Sequence, residues 1–143
     1  MSESPGVLGV VVAHGELATG LVSAVTRIAG SEPDALLALS NEGRSPQELA
    51  RVLEERMEGR VAVVFTDMQT GSCALVARLT CNERDDRAVI FGVNLAMLLD
   101  FVFHRDLPLD ELVPRLLKKG RESVRAIPET KAVLDHADRP LSG

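Results

Sequence analysis

Continuous apolar runs alternate with helically spaced apolar positions along this chain. Residues 7–13 (VLGVVVA) are apolar throughout and rich in β-branched side chains, the pattern of a strand buried on both faces. Residues 16–29 then place Leu17, Leu21, Val25 and Ile28 on one helical face, and Gly30 supplies a stop. Residues 34–39 (DALLAL) read as a second, weaker strand. Ser45, Pro46 and Glu48 open a second helix, with Ser45 as cap, Pro46 in the first turn and Glu48 completing a capping box. Leu49, Leu53 and Met57 continue it to Gly59. Residues 60–66 (RVAVVFT) form a third strand, 72–80 a third helix and 87–93 (RAVIFGV) a fourth strand. Helices over 94–103 and 110–127 follow, and Pro114 either kinks the last one or marks its first turn.

Strands and helices in strict alternation, joined by short connections, specify an α/β fold with an open, mainly parallel four-stranded sheet and helices on both faces. The tail after Ile127 mixes proline, charge and a short apolar patch, and either adds an antiparallel edge strand or stays apart from the sheet. A length of 143 residues fits one domain spanning 1–143, its core at about 7–127 and its tail at 128–143.

Composition narrows the function. The net charge of -5 repels a phosphate backbone, and four phenylalanines with neither tryptophan nor tyrosine offer few stacking platforms, so no nucleic-acid partner is expected. The N-terminus lacks the basic region of a signal peptide. No apolar run reaches the ~20 residues of a membrane span, so a cytoplasmic protein without membrane insertion is expected. Cys73 and Cys81 are eight residues apart on one helix, about 12 Å at ~1.5 Å per residue, too far for a disulfide.

Ligands of open parallel sheets bind beyond the carboxyl ends of the strands, where the strand order switches. His14 follows the first strand, Asp67 the third, and the turn Gly92-Val93-Asn94 the fourth. Asp67 opens the loop DMQTGS, whose Gly71 and Ser72 lead into a helix; with Ser72 as N-cap, free amides and a hydroxyl would face an anion. Imidazole is nucleophilic through its unprotonated nitrogen, and a carboxylate on the other nitrogen fixes that tautomer. His14, Asp67 and Ser72 therefore compose a phosphoryl site. Each also has a plainer reading: a strand-end histidine is most often structural, an aspartate there most often forms a turn, and Gly71-Ser72 lies in no nucleotide-binding motif. His104 and His136 read as solvated. The three histidines and two cysteines show no metal-ligand spacing, and Ser72 lacks the elbow of a Ser-His-Asp hydrolase. A response-regulator receiver needs an acidic pair where this chain has Ala13-His14.

Four motifs together resemble the enzyme IIA domain of the mannose-type (mannose/fructose/sorbose) phosphotransferase system. They are VVVAHGELATGLVSAV, DMQTGSCAL, GVNLAMLLD and DELVPRLLKKGRESVRA, in the family's order across about residues 7–127. The resemblance implies a flavodoxin-like sheet and a phosphohistidine carrier without cofactor or metal. His14 would accept a phosphoryl group from the phosphocarrier HPr and pass it to a IIB domain or, in a sister group, to a dihydroxyacetone kinase. Asp67 and Ser72 match the family's aspartate and serine, Gly15, Thr70 and Gly71 fall in the phosphate-binding loops, and homodimers form by exchange of a C-terminal edge strand. The chain departs from the family motifs at Thr70 (glycine), Cys73 (proline), Leu75 (asparagine) and Ala96 (proline). Those departures suit an alternative reading, a regulatory or binding module on the same scaffold that senses phosphorylation without serving sugar transport.

Overall fold

The computed structural model describes residues 5–30 and 34–129. The elements run β1 (Leu8–Ala13), α1 (Leu17–Ala29), β2 (Leu36–Ser40), α2 (Pro46–Met57), β3 (Ala62–Thr66), α3 (Ser72–Cys81), β4 (Arg87–Phe91), α4 (Leu95–Val102) and α5 (Leu109–Glu122). Four strands form one sheet in the order β2-β1-β3-β4, every pair parallel. The expected α/β sheet with helices on both faces is what the chain adopts.

The unbroken apolar character of β1 follows from its place between β2 and β3, where every residue is buried. Side chains alternate between faces even though the sequence does not. Leu8, Val10 and Val12 pack with Leu49, Leu53 and Met57 of α2 and Val76 and Ala77 of α3. Val11 and Ala13 pack on the opposite side with Phe65, with Val25 of α1, Leu98 and Phe101 of α4, and Leu112 and Leu116 of α5. Phe65 and Phe101 meet edge to face, their centroids 5.2 Å apart.

Ser45 caps α2, its Oγ accepting from the Glu48 N–H at 3.1 Å, with Pro46 in the first turn as expected. Boundaries differ more at the other ends. β4 stops at Phe91 because Gly92 turns the chain at φ +79, and the amides of Gly92 and Val93 both donate to the Thr66 carbonyl at 2.9 Å. The last helix ends at Glu122, not at 127. Val124 and Ile127 hold the helical period but are 75% and 100% exposed, so no packing rewards continuation, and Pro128 disfavours helix at the residue before it. Pro114 lies in the second turn of α5, which runs through it, so it does not mark the first turn. The tail beyond Glu129, for which an edge strand is one of two alternatives, and His136 within it lie outside the described residues.

Candidate functional site

The strand order places β1 and β3 side by side with β2 and β4 to either side, so the chain leaves the sheet in opposite directions from the two central strands. Thr66, the last residue of β3, pairs with Val12, and His14 and Asp67 emerge together beyond that edge. The His14 Nδ1 lies 2.8 Å from Asp67 Oδ2, and the same oxygen accepts the His14 backbone N–H at 3.1 Å. Two bonds converging on one carboxylate oxygen fix both the loop and the ring.

Burial acts to raise the Asp67 pKa, but the hydrogen bonds from the His14 ring and backbone outweigh it and hold the carboxyl below its ordinary value. An ionised carboxylate only accepts, so Nδ1 is the donor, and in the neutral ring the lone pair is then on Nε2. The Asp67 side chain is 11% exposed and that of His14 42%, which leaves the ring open to a partner.

Gly71 lies against the far side of the ring. Its φ of +96 with ψ of −179 belongs to backbone that only glycine adopts readily, and a Cβ there would come 3.7 Å from His14 Nε2. Gly71, not Ser72, is the N-cap of α3; Ser72 is the first helical residue. The expected serine cap is therefore corrected. Because glycine supplies the turn, no side chain caps α3 and the Ser72 hydroxyl is not spent on a cap bond. The first helical bond of α3 runs from the Leu75 N–H to the Gly71 carbonyl, so the amides of Ser72, Cys73 and Ala74 lack helical acceptors and give this end its positive field.

The other candidates divide. Gly15, at φ +59, follows His14 in a left-handed turn, and Thr70 is exposed in the loop before Gly71. In the turn after β4 the Asn94 side chain is engaged elsewhere: it caps α4 through the Met97 N–H at 3.0 Å and donates to the Gly120 carbonyl at 3.0 Å. His104, read as solvated, instead donates through Nδ1 to the Asp100 carbonyl at 2.7 Å and is half-buried.

Sequence reading missed the contribution of the β2 end. Ser40 Oγ donates to the Gly15 carbonyl at 2.8 Å and Asn41 Oδ1 accepts the Gly15 N–H at 3.3 Å, so this loop holds the turn behind His14. The rule that drew attention to the ends of β1, β3 and β4 covers Ser40 and Asn41 equally, and applying it there would have found them. Cys73 lies buried beside the pair as well. His14, Asp67 and Cys73 each offer a ligand atom, and these lie within 4.8 Å of one another.

Comparisons with known proteins place the chain in a family. The family model described as PTS system fructose IIA component matches residues 9–116. No curated protein is a significant match. Among solved structures, phosphotransferase system component EIIA from Streptococcus agalactiae is 25% identical, covering 84% of this chain and 96% of its own, with a TM-score of 0.77. The mannose/sorbose specific IIA subunit from Enterococcus faecalis is 21% identical, covering 89% and 98%, at a TM-score of 0.73. A sigma-54 interaction domain protein from Enterococcus faecalis shares the fold at 16% identity and a TM-score of 0.68, covering 85% and 98%. With the match spanning β1 through most of α5, the chain belongs to the mannose-type EIIA family, the IIA components of the phosphotransferase system.

Proposed function

We propose that this IIA component is a phosphohistidine carrier in which His14 Nε2 takes a phosphoryl group from HPr and passes it to a IIB domain or a kinase subunit. The observation that carries the reading is the 2.8 Å bond between His14 Nδ1 and Asp67 Oδ2. It leaves Nε2 as the nucleophile. The N–P bond of the donor breaks as the bond to Nε2 forms, and the Nδ1 proton stays in its bond to Asp67, whose negative charge steadies the imidazolium-like product. Ser72 and the free amides at the start of α3 receive the phosphoryl oxygens, with Gly71 and Gly15 giving the group room beside the ring. No metal or bound cofactor enters the step.

Incubation with enzyme I, HPr and phosphoenolpyruvate, followed by mapping of the modified residue, tests the proposal. Phosphate on His14 is the expected result, and a chain that takes none overturns it. Light scattering tests the homodimer that the resemblance implies.

The departures at the rim support a second reading, a module that reports phosphorylation rather than relaying it. Leu75, 52% exposed, and exposed Thr70 border the site where a IIB partner would have to dock. Stopped-flow transfer from phosphorylated HPr, with and without a IIB acceptor, separates the two, since a reporter accepts the group and does not pass it on.

A further inference from the structure

Cys73 replaces a proline of the family motif, and the fold sets its thiol beside the two residues proposed to handle phosphate. His14, Asp67 and Cys73 come from the ends of β1 and β3 and the first turn of α3, and their ligand atoms lie within 4.8 Å of one another. The thiol is buried, and Asp67 Oδ1 is buried without a hydrogen-bond partner, a carboxylate oxygen available to a ligand. One nitrogen, one oxygen and one sulfur donor suit Zn²⁺ far better than Mg²⁺ or Ca²⁺, which take oxygen ligands.

We propose that His14, Asp67 and Cys73 form a three-ligand site for Zn²⁺, and that the occupied site withholds His14 from phosphorylation. The second half rests on the phosphocarrier reading. A tetrahedral Zn²⁺ with bonds of about 2.0–2.3 Å puts neighbouring ligand atoms roughly 3.3–3.7 Å apart, so the cluster closes by about 1 Å at its widest. Binding releases the thiol proton to solvent, and the imidazole coordinates through its unprotonated nitrogen while the other keeps its N–H. Exposure of the His14 ring leaves the fourth position to water. A ring nitrogen and a carboxylate engaged by metal can no longer provide the nucleophile and the tautomer partner that phosphoryl transfer requires. Sequence spacing could not show this set, because 53 residues separate His14 from Asp67.

Titrating the full chain with Co²⁺ tests the site without recourse to activity. Saturation at one equivalent, with a thiolate-to-cobalt charge-transfer band that Zn²⁺ abolishes, is the expected outcome. Cys73→Ser should remove the band, and Asp67→Asn should weaken binding by at least about 10-fold, while Cys81→Ser and His104→Ala leave the band in place. A missing thiolate band, or one that survives Cys73→Ser, overturns the site. The regulatory half is read as the ratio of His14 phosphorylation rates without and with Zn²⁺, using pre-phosphorylated HPr. That ratio should exceed about tenfold in the native chain and fall toward one in Cys73→Ala; equal inhibition of both overturns it. A chain that binds Co²⁺ through thiolate but takes no phosphate instead refutes the phosphocarrier reading and leaves the metal site standing.

Discussion

At the scale of single residues, the Asp67 carboxylate carries the sharpest expectations. Asp67→Asn keeps the size of the side chain but lets its amide meet His14 with a donor, which favours the wrong tautomer. The phosphorylation rate should fall by roughly 10²–10⁴ with the fold intact, read from transfer kinetics beside circular dichroism. Stability should show the same carboxylate. Its folded-state pKa lies below the ordinary 3.8, so its contribution is fully present above about that pH and is lost as pH falls through the depressed value. Urea unfolding of the native chain and Asp67→Asn should therefore differ at pH 6 and converge as the pH drops below 3.8. His14→Ala should abolish acid-labile, alkali-stable labelling that His104→Ala retains. Labelling that survives His14→Ala would falsify the acceptor assignment.

Among the elements, α3 depends on the one residue that starts it. Gly71 holds a conformation that costs a side chain of order 1–3 kcal/mol, and a Cβ 3.7 Å from the His14 ring is an ordinary contact, so strain rather than collision sets the penalty. Gly71→Ala should destabilise the chain by about that amount in urea unfolding and slow phosphorylation by shifting the start of α3 beside the His14 ring. The α2 helix is tied to β4 differently. Arg87, its side chain 1% exposed, donates to both oxygens of Glu54 at 2.7 and 2.8 Å and to the Thr80 carbonyl at 2.8 Å. The pair anchors β4, one of the two edge strands among the described residues.

For the molecule as a whole, two apolar layers on either side of one sheet carry the stability. Phe101 is completely buried among residues of β3, α4 and α5, so Phe101→Ala should cost about 3–5 kcal/mol in chemical denaturation. The site lies beyond the carboxyl edge of the sheet, outside both layers. Loss of His14 or Asp67 should therefore affect chemistry far more than folding, while loss of Phe101 should do the reverse.

The sequence by itself determined the order of elements, the parallel sheet and the pairing of His14 with Asp67 as strand-end candidates. Burial on both faces makes a strand continuously apolar, and that mark is local and readable. It also carried Ser45 as a cap, because a capping bond spans three residues. Only the tertiary structure decided the end of α5, where the period continued past the last residue with a core to pack on. The same holds for Gly71 taking the cap expected of Ser72, a matter of backbone angles set by how the loop returns toward His14. Ser40 and Asn41 behind Gly15, and Cys73 beside His14 and Asp67, are contacts between segments remote in sequence. The strand-end rule marks such residues as candidates, but which atoms meet is decided only when the sheet brings together strand ends that the chain itself keeps dozens of residues apart.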